Sequence, residues 1–289
     1  MRLVDYPCSH QTFALARCCL GLIMVWVAAV QDFSGIPDLP PEWFEQIGPI
    51  ALLPPAAARE LLTPGILSSI RWAGIALAIL FTAGVGPVSV VGLLLATVAT
   101  CAQCLGAKAF SGGYATHTEI AAILSTALLS ASAIGQSRAR PIPAGAAKAA
   151  MLAIALMIGT LYMAIGAHRI ARGAPEIFVG DSILAWQVSH SLVYSETEFR
   201  VGLMAATVPA LALASKCAFL VATVAELAAP LCLIMSARWR LCWIGAMIAM
   251  HVGTTLLMNV HFPENLALLV VFCSGLPQRL TRRHTMATA

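Results

Sequence analysis

Long apolar stretches separated by short polar ones constrain this chain more than any motif does. Eight such stretches stand out, at 13–30, 66–83, 88–105, 119–134, 149–167, 216–235, 241–259 and 266–276. A helix needs about 20 mostly apolar residues to cross the hydrocarbon core of a bilayer. Only helices and closed barrels satisfy their backbone polar groups there, and these unbroken runs lack the alternation of a barrel strand. The sequence therefore predicts an all-α, polytopic transmembrane helical bundle of about eight spans, with one domain over 1–276. The remainder, 277–289, reads as a basic, disordered cytoplasmic tail. The last span is short. The stretch 201–215 is apolar but carries Pro209, so it reads as a tilted half-helix, a re-entrant piece or the start of the sixth span.

Composition closes off the soluble alternative. Of 289 residues, 60% are hydrophobic and 10% charged, with a mean hydropathy of +0.86. Soluble domains carry roughly 25% charged residues, and no polar stretch here is long enough to build one. The formal charge of +4 is spread over loop ends, where it sets orientation and is no footprint for nucleic acid. With the N-terminus in the cytoplasm, Arg138, Arg140, Lys148, Arg238, Arg240, Arg279, Arg282 and Arg283 fall inside. Arg59, Lys108, Arg169, Arg172 and Arg200 fall outside among many carboxylates. This places both termini in the cytoplasm of a multi-pass cell-membrane protein whose first partner is the lipid bilayer. Trp43 and Trp186 suit an outer aromatic belt, and Trp239 and Trp243 an inner one. The first apolar run is longer than a signal-peptide core and is interrupted by Arg17, so it reads as a retained span. Two loops, 31–64 and 168–200, face outward in this arrangement.

Ionisable groups inside apolar runs are expensive and each implies a partner, a cavity or a function. In the seventh run, His251, Thr255 and Asn259 recur at four-residue steps and share one helix face. Gly245, Ala249 and Gly253 form a second stripe of small residues suited to close helix contact. The polar face serves either as a functional site or as interhelical hydrogen bonding. His117 and Glu119 open the fourth run; two apart on a helix, they do not share a face, and Glu119 also suits the helix dipole. Glu226 is expected to be paired or protonated, with Arg17 and Arg71 as candidate partners. His168, Arg169 and Arg172 end the fifth run, either as an anion site or as a basic cap on a helix C-terminus.

Nine cysteines are present. Most lie inside apolar runs, where Cys is a small core residue. Cys101-Ala102-Gln103-Cys104 is a C-x-x-C, which can form a redox-active disulfide, but without a flanking βαβ context. No metal-ligand spacing, phosphate loop, dinucleotide fingerprint or nucleophile elbow is present.

Taken in order, these residues resemble a known family. Arg17 stands early in the first span and His117 opens a middle span. The segment Tyr162-Met163-Ala164-Ile165-Gly166-Ala167-His168-Arg169-Ile170 matches an aromatic–x–x–small–Gly–x–x–basic–aliphatic helix end. Val179-Gly180-Asp181 follows after a loop, then Glu226 with Pro230, then a His-bearing helix running from His251 to Phe262. The pattern is similar to that of the HTTM proteins, the membrane domain shared with the vitamin K-dependent γ-carboxylase. The resemblance implies that fold and an outward-facing polar cavity lined by His117, His168, Arg169 and His251. Those histidines would be catalytic, and Arg17, Arg169, Arg172, Glu226, Thr255 and Asn259 would bind substrate. It does not imply glutamate carboxylation. The carboxylase places a Lys, its proposed base, where this chain has Arg169, and Arg does not give up its proton. Some bacterial members assist production of secreted peptides.

Two further functions compete. One is non-catalytic capture of a lipid, a quinone-like small molecule or a secreted peptide. The other is thiol oxidoreduction at Cys101 and Cys104. Cofactor and substrate are unknown from the sequence.

Overall fold

The computed structural model describes residues 2–30, 52–105, 116–135, 141–193, 201–260 and 262–287, without the side chains of 116–118, 193 and 282–287. The described residues are 85% helical, with no strand among them, which establishes the all-α class. The helices are α1 (His10–Val30), α2 (Pro55–Glu60), α3 (Pro64–Ala83), α4 (Val88–Leu105), α5 (Thr116–Ser132), α6 (Ala144–Gly173), α7 (Glu176–Val179), α8 (Ser182–Val193), α9 (Val201–Thr207), α10 (Pro209–Leu227), α11 (Ala237–Met258), α12 (Pro263–Leu268) and α13 (Leu276–Ala287). Six of them, α1, α3, α4, α6, α10 and α11, are long and apolar enough to cross a membrane. The fourth and eighth expected spans correspond to shorter apolar helices, Glu119–Ser132 and Pro263–Cys273.

Prolines explain where the sixth span differs from expectation. Pro209 lacks an N–H and sits in the first turn of α10, where none is needed. Pro230 would remove a hydrogen bond from a helix interior, so α10 stops at Leu227 and a short 3₁₀ segment, Ala229–Leu233, follows. The span is therefore Pro209–Leu227 and not 216–235, and 201–215 contains a short helix plus its start. The expected irregular tail also differs, since α13 occupies Leu276–Ala287. The orientation residues Lys108, Arg138, Arg140 and Arg200 and the belt residue Trp43 lie outside the described residues, as do the side chains of Arg282 and Arg283.

The chain divides into two compact units. One comprises residues 7–154 and 276–289, the other residues 1–6 and 155–275. In the first, α1 packs on α3, α3 on α4, α4 on α5 and α5 back on α1, closing a ring of four helices. Small residues set the spacing. A Cβ on Gly92 of α4 would collide with the Ser130 hydroxyl of α5 and lie 2.6 Å from Phe81 Cε2 of α3. Two arginines tie α1 to α3 reciprocally. Arg17 near the start of α1 donates to the Phe81 carbonyl at 2.5 Å, and Arg71 of α3 donates to the Ala29 carbonyl at 2.5 Å. Each guanidinium thus serves the carbonyl-rich end of the neighbouring antiparallel helix, where the dipole favours a cation. Gly84 follows α3 at φ 69°, and a side chain there would overlap the Arg17 guanidinium. Only glycine meets both demands.

In the second unit, α8, α9, α10 and α11 pack together, with α7 on α10 and α12 on α11. Asn259 closes α11 in the left-handed conformation, φ 54°. Its Nδ2 donates to the Ser191 carbonyl at 3.4 Å, and the Ser191 hydroxyl donates to the Leu257 carbonyl at 2.9 Å. The small-residue stripe of α11 does not do what its spacing suggests. A Cβ on Gly245 or Gly253 would meet nothing within 4 Å, so the stripe faces outward. Trp243, expected in an interfacial belt, is buried and donates to the Ala225 carbonyl at 2.8 Å.

These contrasts give a paired test. Gly92→Val should destabilise the protein by about 1–3 kcal/mol through overpacking, read as a lower melting temperature in detergent. Gly245→Val should leave it unchanged. Equal effects would contradict the helix facing described.

Candidate functional site

The second unit gathers polar chemistry where α6 presses against α10. Residues 159, 162, 166 and 169 of α6 fall on one helix face. Two are glycines at close approaches. A Cβ on Gly159 would lie 2.9 Å from Pro230 Cα, and one on Gly166 would lie 3.2 Å from Glu226 Cβ and the Thr223 carbonyl oxygen. Gly166 therefore lets the Glu226 backbone come up against α6. One turn further on, Arg169 reaches back. Its Nη1 donates to Glu226 Oε2 at 2.5 Å, with side-chain exposures of 19% for Arg169 and 2% for Glu226. The Arg169 guanidinium also lies 4.8 Å from the centre of the Phe219 ring, two turns earlier on α10. The partner of Glu226 is thus Arg169, and neither Arg17 nor Arg71, both of which serve backbone carbonyls in their own unit.

Tyr162 and His251 form the other half of the cluster. The Tyr162 hydroxyl and His251 Nε2 are 2.7 Å apart. His251 is 6% exposed, and its ring meets Tyr162 and Phe262 edge-on at 5.9 and 6.0 Å between centroids. Its second nitrogen, Nδ1, is buried with no hydrogen-bond partner among the described residues. The Tyr162–His251 and Arg169–Glu226 pairs thus start from one face of α6, seven residues or two turns apart.

The sequence-predicted residues divide clearly. Of the four expected to line one cavity, the structure brings together Arg169 and His251. His168 is exposed, because successive helix residues point about 100° apart and Arg169 takes the inward direction. Arg172 is exposed as well. His117 lies in α5, and its side chain is outside the described residues. Thr255 spends its hydroxyl on the His251 and Val260 carbonyls at 3.1 and 3.4 Å, and Asn259 caps α11, so both shape the helix end. Arg17 is a helix-end ligand in the other unit. Phe219 was not singled out from sequence, and Tyr162 was named only as the aromatic opening the helix-end segment, without a role. A Tyr in mid-span needs a hydroxyl partner, and its place seven residues before Arg169 puts it on the same face, which is the signal that was available.

Cys101 and Cys104 are free thiols at the carbonyl end of α4. Cys101 is exposed, whereas Cys104 packs against Leu62, Leu67 and Ala102. Redox thiols gain their thiolate character at the opposite, amide end of a helix. Outside the spans, burial pushes the Cys8 thiol up to about 11, which leaves it inert at neutral pH. Among the described residues no three His, Cys, Asp or Glu side chains gather to hold a metal ion. A cleft in the first unit, lined by Met24, Ile70, Gly74, Leu95 and Ala102, is apolar.

No protein-family model matches the chain, and no curated protein and no solved structure matches it.

The ion pair and the Tyr–His pair predict different mutational costs. Arg169→Met should cost about 3–5 kcal/mol by stranding a buried carboxylate, and adding Glu226→Met should recover most of it. Tyr162→Phe should cost about 1–3 kcal/mol by leaving His251 Nε2 without a partner. Thermal unfolding in detergent measures all three. A double variant no more stable than Arg169→Met would disprove the pairing.

Proposed function

We propose that this is an eight-span cell-membrane protein of HTTM-like architecture whose working centre is the His251–Tyr162 pair beside the Arg169–Glu226 pair. It acts as a membrane-embedded enzyme or maturation factor on a lipid or secreted peptide, and not as a glutamate carboxylase. The six long helices together with the two shorter apolar ones support the span number. The distribution of Lys and Arg supports cytoplasmic termini.

One observation carries the functional reading: a buried histidine fixed through Nε2 by a tyrosine while its Nδ1 has no hydrogen-bond partner among the described residues. An unpaired buried ring nitrogen is costly, and the cost is offset when that atom has a proton to exchange with a bound molecule. Tyr162 sets the ring orientation. Arg169 supplies the positive charge that an anionic group or a developing negative charge needs. It cannot serve as the base, which leaves His251 for that role.

A second reading is capture without chemistry. It is favoured by the close packing of the centre, in which Gly166 brings α6 against α10 and Gly159 brings it against the 3₁₀ segment Ala229–Leu233.

Complementation of a deletion strain separates the two. His251→Ala should fail to restore the deletion phenotype at wild-type membrane abundance, with Tyr162→Phe intermediate and Cys104→Ser fully active. Full rescue by His251→Ala would eliminate the acid–base role and leave capture standing. Loss of rescue in Cys104→Ser, with a trapped Cys101–Cys104 disulfide, would instead favour thiol chemistry.

A further inference from the structure

The outer end of α6 carries donors that the protein does not use. Arg169 commits Nη1 to Glu226, but a guanidinium has five N–H donors, and 19% of the Arg169 side chain is exposed. His168 and Arg172 lie beside it on the same helix end. Both are exposed, and among the described residues neither has a hydrogen-bond or ion-pair partner. The acidic residues of the following segment are turned elsewhere. Asp181 accepts from Lys216 at 2.9 Å, and the Glu176 carboxylate lies against Gly180.

Depth decides what these donors meet. Helix α6 has 30 residues, about 45 Å at 1.5 Å per residue, against a hydrocarbon core of about 30 Å. Its last turns therefore emerge at the level of the headgroups. The commonest anion there is a lipid phosphate, whose oxygens accept from several donors at once. Basic residues at a helix end often do no more than complement the dipole. Here there is a second observation: the Arg169 guanidinium is fixed in place by the buried Glu226 carboxylate and by the Phe219 ring, 4.8 Å away, while 19% of its side chain stays exposed.

We infer that His168, Arg172 and the outward N–H groups of Arg169 bind the phosphate of an anionic glycerophospholipid, which is the substrate or ligand class of the centre proposed above. Arg169 bridges the two. One edge of its guanidinium holds Glu226 and the other holds the lipid phosphate, so the ion pair stays intact on binding. The headgroup then rests against the outward edge of the Arg169–Glu226 pair, and the acyl chains run along the exposed face of α6.

The test uses the full chain incorporated into phosphatidylcholine vesicles containing phosphatidylglycerol, re-extracted in mild detergent, with retained lipid counted by mass spectrometry. The wild type should retain phosphatidylglycerol over phosphatidylcholine. His168→Gln/Arg172→Gln, confined to exposed positions, should lower that preference about tenfold, as expected for losing charge-assisted hydrogen bonds. Arg238→Gln, another exposed arginine of the same unit, should not change it. Equal retention of the two lipids, or an equal loss in Arg238→Gln, overturns the inference. So does displacement of the lipid by millimolar inorganic phosphate, which would assign the site to a soluble anion. The inference rests on the proposed centre, but its readout is lipid retention. If His251→Ala rescues the phenotype while retention persists, the chemistry fails and the site survives.

Discussion

A charge carried into an apolar helix cannot be left to solvent, and the whole architecture follows from where each one finds its counterpart. The desolvation cost is several kcal/mol for each unpaired ion, even after relaxation. Arg17 and Arg71 meet it with the exposed carbonyls of neighbouring helix ends. Arg169 and Glu226 meet it with each other. Arg240, fully buried, donates to the Ser274 and Met235 carbonyls at 3.4 and 3.3 Å and lies 5.4 Å from the Tyr6 ring centre. In three of these four cases the partners include backbone oxygen at a helix end or between helices. Satisfying these charges therefore also fixes the register in which the helices pack.

Such partnerships require close helix approach, and glycine supplies it at chosen points. Gly92 admits Ser130, Gly166 admits Glu226 and Gly84 admits Arg17. Gly166 and Gly84 sit beside the polar contacts they make possible, whereas the Ser130 hydroxyl beside Gly92 donates within its own helix to the Thr126 carbonyl. Gly245 and Gly253 have no such neighbour and face outward. A small residue in an apolar helix therefore marks an interface only when a partner with something to place there exists, and spacing alone does not supply that partner.

The same distinction explains what could be read from the chain. Helix existence was legible because hydrocarbon imposes length and apolarity directly: 88–105 is expected and Val88–Leu105 is found. Helix ends followed local chemistry, as Pro209 and Pro230 show. Partners were not legible, because they depend on rotation and register. Glu226 was expected to pair with Arg17 or Arg71 on grounds of depth, yet it pairs with Arg169. Arg240 looked like an interfacial cation and is a core residue. Thr255 and Asn259 share a face with His251, as periodicity requires, but their polar atoms turn back onto the backbone or onto α8. Periodicity fixes which way a Cβ points; it says nothing of what the polar atom at the end of the side chain prefers.

Arg71 Nε, Gln103 Oε1 and Gln278 Oε1 are also buried without a hydrogen-bond partner among the described residues, but of these residues only His251 can both give and take a proton. Thr254 and Thr255 both donate to the His251 carbonyl, so the backbone at this position is well satisfied. Tyr162 occupies Nε2, and Phe262 and Tyr162 enclose the ring edge-on. The residue is held on three sides, and only Nδ1 lacks a counterpart among the described residues. A purely structural histidine would gain stability from a partner at both nitrogens, as Gln187 and Ser215 gain from each other at 2.7 and 3.1 Å on the neighbouring helices α8 and α10. Rigid support around one unpaired titratable atom is the arrangement expected of a group kept ready for a molecule that comes and goes. In the function proposed above, the Arg169 guanidinium, with one N–H committed to Glu226, would hold that molecule by its charge.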